Sequence, residues 1–279
     1  MTTRVKPQDT TVNANGINIH YLDWGNAGKP DLVMIHGLRG HAHSWDDVSA
    51  AVCQDYHVLA LDQRGRGETD WAKDGDYSTD AYVADLDAFR GALGLDKFIL
   101  MGHSMGGRNS MTFAGKYPER LEKLIIVDVG PEADPRGGQR ITQEIIDVPE
   151  EFDSFEAVVE YMLKQNRFAS ETVIRRRLQY ATKDLPNGKF GWRYDLAIRE
   201  ARRNGVSTHQ ADLWPVLTQI PCPTLVVRGK ETDLLPLEVA QRMVRELPQG
   251  QMVEIPRAGH MVFEDNPEDF ITAVRNFLG

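Results

Sequence analysis

The sequence predicts an α/β protein: a mostly parallel sheet flanked by helices. Short β-branched or aliphatic runs ending in Gly, Asp or His alternate with longer helical patterns, as strands and crossover helices do. Four early runs, residues 32–35, 57–61, 98–101 and 124–127, are apolar at every position but the opening His57, which suits strands buried on both faces. The alternation returns at 223–227 and 252–255 after a long interval without it.

The chain opens with INIHYLD at 17–23, alternating after the turn-forming Asn15-Gly16, and this reads as an antiparallel hairpin at the sheet edge. Helical patterns cover 45–52, 81–93 and 106–116, the last closed by Pro118. After Asp128 the pattern breaks. Residues 131–213 begin with the Pro/Gly-rich GPEADPRGG stretch, show no convincing strand, and carry helical spacing at Phe155, Val158, Val159, Met162 and Leu163. We expect a helical cap at 131–213 inserted into a core formed by 1–130 and 214–279, with Trp214 and Pro215 marking the return. A strand at 223–227, a helix at 237–247, a strand at 252–255 and a helix at 267–278 complete the chain. There is no internal repeat and no low-complexity tract.

Composition narrows the function. With 41% apolar and 26% charged residues over 279, the chain reads as an ordinary globular protein. Its 32 basic and 41 acidic residues give a net charge of −9, which disfavours a nucleic-acid binder. The one dense basic run, Arg175-Arg176-Arg177, sits in a helical pattern and reads as a solvated helix face. The expected cap is nearly neutral, with 13 basic and 14 acidic residues, so the acidity belongs to the core. No apolar run approaches the roughly 20 residues that span a bilayer. The opening MTTRVKPQDTT lacks the apolar stretch of a secretion signal, and Cys53 and Cys222 are too few for a disulfide framework or a Cys-rich metal site. The expectation is a cytoplasmic protein, monomer or homodimer, with a small-molecule substrate and neither nucleic-acid nor membrane partners.

The chemistry is carried by Gly102-His103-Ser104-Met105-Gly106, a G-x-S-x-G pattern between the apolar run 98–101 and the helix 106–116. At such a strand-to-helix turn the serine is strained and lifted clear of the sheet. The flanking glycines are needed because a β-carbon would collide with a neighbouring strand or helix. The helix that follows aims backbone N–H groups and a positive dipole end at whatever binds beside Ser104.

Here the sequence resembles the α/β-hydrolase fold superfamily, and specifically its capped serine hydrolases, over essentially the whole chain. The resemblance implies an eight-stranded sheet and the order Ser, then acid, then His. A serine needs a base to take its proton and an acid to orient that base. His260, in the RAGH loop before the last helix, stands where the superfamily places its histidine. His36 and His103 flank turn glycines and read as packing or hydrogen-bonding residues. His20, His41, His43, His57 and His209 belong to no motif and read as structural or exposed.

The acid has two candidates. Asp233, in VVRGKETDLLP, matches the commonest position and is preferred; Asp128, ending LIIVD, is the alternative used by some capped relatives. With Asp233 as the acid, Asp128 would cap the strand end and anchor the cap's entry turn. The oxyanion of a tetrahedral intermediate is best held by preorganised backbone N–H groups. The resemblance assigns these to Met105, after the nucleophile, and to Leu38 in His36-Gly37-Leu38-Arg39-Gly40. The segment from Asp62 to Gly67 matches a superfamily D-x-R-G-x-G turn and reads as structural. It is no dinucleotide fingerprint, and with no phosphate loop and no H-E-x-x-H the chain implies neither cofactor nor metal.

The resemblance implies a hydrolase of a small carboxylic ester or lactone acting through an acyl-enzyme on Ser104. Its rate should rise with pH as the histidine base loses its proton, around the reference value of about 6.5. Two other enzyme readings stay open: cleavage of C–C bonds in vinylogous diketones, and hydrolysis of small amides. C–C hydrolases usually carry an aromatic directly after the histidine, where this chain has Met261. A hydrolase-fold ligand receptor is a further alternative, marked by slow single-turnover hydrolysis. Substrate choice would lie in the cap, folded over Ser104 as a lid, with Phe152, Phe155, Tyr161, Phe168, Phe190, Trp192 and Tyr194 as candidate pocket residues and Phe263 close behind His260.

Overall fold

The computed structural model describes residues 5–204 and 212–279; His209 lies outside them. The chain enters through a hairpin, β1 (Gln8–Ala14) and β2 (Ile17–Asp23), turned at Asn15-Gly16 with φ of 51° and 76°. There follow β3 (Asp31–Ile35), α1 (Asp46–Val52), β4 (His57–Leu61), α2 (Thr79–Leu93), β5 (Phe98–His103), α3 (Met105–Lys116) and β6 (Leu121–Val127).

Between β6 and the next strand of the main sheet lie α4 (Pro135–Asp147), β7 (Glu151–Phe152), α5 (Phe155–Gln165), α6 (Glu171–Ala181), β8 (Thr182–Asp184), β9 (Phe190–Trp192), α7 (Ala197–Arg203) and α8 (Trp214–Leu217). The chain then closes with β10 (Thr224–Gly229), α9 (Leu237–Glu246), β11 (Gly250–Ile255), α10 (Val262–Asp265) and α11 (Pro267–Leu278).

The main sheet has eight strands in the order β1-β2-β4-β3-β5-β6-β10-β11. β1 pairs antiparallel with β2 and β2 with β4, while every later pair is parallel. The predicted edge hairpin and parallel body are both present. Alternation along the strands feeds two cores. Val33, Leu100, Ile126 and Val226 pack under α2, α3 and α9 with Phe89, Phe113 and Met243. Met34, Met101, Ile125, Val127 and Val227 pack on the opposite face against α1 and α11, with Trp45, Val48 and Phe270. Runs apolar at every position are what such a two-faced layer requires.

The segment between β6 and β10 differs from expectation. It is not purely helical, because β7, β9 and β8 form a small antiparallel sheet in that order. These strands are two or three residues long, too short for an alternating pattern to register. A third core holds the segment together, with Phe152, Val158, Val159, Ile174, Leu178, Trp192 and Tyr194 buried. The arginine run also departs from the solvated-face reading. Arg175 is surface-paired to Glu156 and Glu171, but Arg176 forks onto Asp47 of α1, and Arg177 Nη1 lies 2.7 Å from Glu264 of α10, a carboxylate only 5% exposed. Two of the three guanidinium groups thus tie α6 to the main body. Among the described residues no helix is long and apolar enough to cross a membrane, and Cys53 and Cys222 are free and buried.

Candidate active site

Ser104 stands between β5 and α3 with φ 53° and ψ −117°, a conformation that side chains rarely adopt. The neighbouring glycines make this turn possible. A β-carbon on Gly102 would run into the Ser110 hydroxyl and the Gly106 carbonyl, and one on Gly106 would lie 2.5 Å from the Ile35 carbonyl oxygen of β3. The turn is pinned by the Ser104 N–H on the Val127 carbonyl (3.0 Å) and by the Arg108 N–H on the Ser104 carbonyl (3.0 Å).

His260, between β11 and α10, reaches Ser104 with Nε2 3.0 Å from Oγ. Its other ring nitrogen, Nδ1, lies 2.9 Å from Oδ2 of Asp128. A carboxylate at Nδ1 keeps the proton there and leaves Nε2 as acceptor for the serine hydroxyl. The His260 backbone is fixed too, since His103 Nε2 donates to its carbonyl at 2.9 Å. Burial, helped by the nearby His260, lowers the His103 pKa well below the ordinary histidine value, so that ring is a neutral donor. His36 is likewise held neutral, its pKa lowered to about 4 by burial. It accepts the Gln63 N–H at Nε2 (3.0 Å) and donates from Nδ1 to the Gly37 carbonyl (2.7 Å). Both histidines have the packing and hydrogen-bonding roles expected of them.

The acid preferred from sequence does not reach the histidine. Asp233 forks onto Arg140 of α4, with Oδ2–Nε 2.6 Å and Oδ1–Nη2 2.7 Å, and its side chain is 48% exposed. Those bonds hold its carboxyl below the usual carboxylate range. Asp128 is fully buried, one residue beyond β6, with φ 50°. Its Oδ1 accepts the Gly229 N–H at 2.9 Å, and its Oδ2 accepts both the Thr232 hydroxyl at 2.7 Å and His260. The reason is geometric: β6 lies directly between β5 and β10, so its end opens onto the nucleophile turn, whereas the loop after β10 carries Asp233 outward to the inserted segment. Thr232 carries no sequence signal of its own, since a threonine next to Asp233 belongs to no motif.

A cavity of about 430 Å³ opens over Ser104 and His260. Leu38 lines it on the β3 side, and Met105 supplies the first amide of α3, which has no acceptor within its helix. Of the candidate aromatics, Phe168, Trp192 and Phe263 line the cavity. Phe152 and Tyr194 are buried in the inserted segment's core, against which Phe155, Tyr161 and Phe190 pack. Part of the lining is charged: Arg39 Nη2 meets Glu144 at 3.1 Å, Glu144 also accepts from Arg140 at 2.5 Å, and Arg140 meets Asp233, a chain of charge crossing from body to α4 and back, beside the apolar Ile141 and Ile145 of the same helix. Asp265 also faces the cavity, accepting the Gly259 N–H at 2.9 Å, and burial raises its pKa to about 6. No group of metal-ligating side chains occurs among the described residues.

The comparisons with known proteins agree with this architecture. Residues 30–267 match the family model for the alpha/beta hydrolase fold. The chain is 32% identical over 271 residues to the 3-hydroxybutyrate-oligomer hydrolase of Cupriavidus necator, covering 93% of this chain and 92% of that one. It is 32% identical over 270 residues to the N-formylmaleamate deformylase of Pseudomonas putida, covering 96% and 95%. The crystal structure of an alpha/beta hydrolase from Novosphingobium aromaticivorans superposes with a TM-score of 0.87 at 28% identity, covering 98% of both chains. A strand order, a nucleophile turn and relatives of nearly equal length converge on one conclusion: this chain belongs to the alpha/beta hydrolase family and is a hydrolase.

Proposed function

We propose that the protein hydrolyses a small carboxylic ester or lactone through an acyl-enzyme on Ser104. The observation that carries this reading is the unbroken chain Ser104 Oγ, His260 Nε2, His260 Nδ1, Asp128 Oδ2, with links of 3.0 and 2.9 Å. His260 takes the serine proton as Oγ attacks the carbonyl carbon, and Asp128 stabilises the imidazolium that forms. The oxyanion is received by the amides of Leu38 and Met105. His260 then returns its proton to the departing alkoxide, the C–O bond breaks, and the alcohol leaves, or stays tethered if the substrate is a lactone. Water deprotonated by the same histidine attacks the acyl carbon, the bond from that carbon to Oγ breaks as His260 returns the proton to Ser104, and the carboxylic acid leaves.

The segment from α4 to α7 acts as a lid, excluding water and shaping the acyl pocket. A cavity of about 430 Å³, lined by Ile141, Ile145, Met162 and Leu178 as well as by the paired charges of Arg39, Glu144, Arg140 and Asp233, suits a small substrate better than a long aliphatic chain. A small amide is the second reading, favoured by the similarity to the deformylase; the same residues serve it, with His260 protonating a leaving nitrogen.

Ser104→Ala tests the proposal. Turnover of p-nitrophenyl acetate should fall by at least 10³-fold, in line with loss of a triad nucleophile, and full residual activity would reject the assignment. A panel of short esters, lactones and amides followed by absorbance or proton release separates the two readings.

A further inference from the structure

The D-x-R-G-x-G turn, read from sequence as structural, reaches the oxyanion residues. Arg66 is 1% exposed, among the largest fully buried side chains in the molecule. Its Nε donates to the Leu38 carbonyl at 3.0 Å, and its Nη2 points at the Met105 sulfur at 3.6 Å. Its Nη1 donates to the Arg64 carbonyl at 2.9 Å and to the Tyr82 hydroxyl. The rings of Tyr77 and Tyr82 stand 5.7 and 5.3 Å from the guanidinium carbon. One guanidinium therefore grips both residues whose amides would receive the oxyanion, each through an atom other than that amide.

The electrostatics are as specific as the contacts. The neighbouring Arg64 is neutralised by Asp85, with Nε–Oδ2 2.5 Å and Nη2–Oδ1 2.7 Å. Asp62, on the same turn, spends its oxygens on the Ala42 and Glu68 amides and His20. Among the described residues no carboxylate is hydrogen-bonded to Arg66. A buried cation without an ion-pair partner is costly to fold around, unless that cost is offset where charge develops.

From these contacts we infer that Arg66 is a positioning residue for the oxyanion hole: it fixes the Leu38 backbone and the Met105 side chain, and its uncompensated charge stands behind the site where the oxyanion forms. This inference rests on the proposed serine mechanism. Arginine is required because its planar fork serves several acceptors at once, whereas an ammonium is a single point charge.

The test compares wild type with Arg66→Lys by three readouts: kcat and KM for p-nitrophenyl acetate, the inhibition constant of 2,2,2-trifluoroacetophenone, and thermal melting. The ketone forms a tetrahedral adduct with the serine and so reports on oxyanion binding. Expected are a KM within threefold of wild type, a kcat lower by about 10- to 100-fold, and a ketone inhibition constant raised by the same factor as kcat/KM falls. A merely structural arginine would lower the melting temperature without moving catalysis and ketone affinity in step. An unchanged kcat and ketone affinity in folded Arg66→Lys would overturn the inference. Should Arg66→Lys show no cooperative melt, Tyr82→Phe decides, since it frees Nη1 from one partner and keeps the guanidinium: a lower kcat at constant KM supports the inference, and an unchanged kcat overturns it. Labelling of wild type by a fluorophosphonate, mapped by mass to Ser104, separates the two levels. No label on Ser104 rejects the serine mechanism and this inference with it. A label together with unaltered Arg66→Lys kinetics rejects this inference alone.

Discussion

Two aspartates follow two adjacent parallel strands, and the structure uses them in opposite ways. Asp128 directly succeeds β6, is fully buried, and accepts hydrogen bonds from Gly229, Thr232 and His260. Asp233 lies four residues past the end of β10, is half exposed, and grips Arg140 of the inserted segment. Residue type and neighbouring sequence do not separate them. What separates them is backbone: a left-handed φ of 50° turns Asp128 inward as the strand ends, while a longer loop carries Asp233 outward. Contact with the histidine, which a motif would assign to Asp233, is here set by where the strand stops.

The comparison can be broken most directly by paired substitution. Asp128→Asn should lower kcat by about 10³- to 10⁴-fold, as loss of a triad carboxylate does, whereas Asp233→Asn should leave kcat within about threefold; steady-state kinetics on one ester decides, and the reverse pattern would restore Asp233 as the acid. Thr232→Val removes one donor from Asp128 and should cost about tenfold in kcat, the worth of a hydrogen bond to a charged group. An unaltered rate would mean that Gly229 and His260 suffice to hold the carboxylate.

A third carboxylate sharpens the contrast. Asp265 has a single backbone donor, the Gly259 N–H, against the three groups that meet Asp128, and no cation forked onto it as Arg140 is onto Asp233, and burial raises its pKa to about 6. Because its folded pKa exceeds the unfolded value, its ionisation opposes folding above pH 6, and the penalty fades as pH falls from 6 towards 4. Asp265→Asn should raise the melting temperature at pH 8 by the equivalent of about 2 kcal/mol and give no gain at pH 4.5; a gain independent of pH would count against this account. The smallest effect is expected from Asp233 itself. Its pair with Arg140 is 48% and 41% exposed, so breaking it should cost under about 1 kcal/mol and matter less at high salt.

The scaffold was legible because its signals are local and dense. Apolar runs on both faces, the Asn15-Gly16 turn and the G-x-S-x-G between strand and helix each carry their geometry within a few residues. Ser104 and His260, named from sequence, meet at 3.0 Å. Which aspartate meets His260 was not legible, because that contact depends on a single φ angle and on Thr232 and Gly229, about a hundred residues from Asp128 along the chain. β7, β8 and β9 are silent in the sequence because strands of two or three residues leave no periodic trace, and the pairing of Arg176 and Arg177 is silent because a basic run says nothing of the distant Asp47 and Glu264 that receive it.

One further consequence comes from where the inserted segment is spliced. It departs just after Asp128 and rejoins the sheet at β10, and Ser104, Asp128, His260, Leu38 and Met105 all lie outside it. The stretch from α4 to α7 could therefore be exchanged, shortened or randomised as a cassette without deleting any of the groups proposed to react. For directed evolution this locates the diversity: libraries confined to that stretch would explore substrate range around the proposed catalytic groups, with Arg176 and Arg177, paired to Asp47 and Glu264 of the body, and Asp195, held by Tyr77 and the Gly65 carbonyl, among the contacts that a transplanted segment would need to keep.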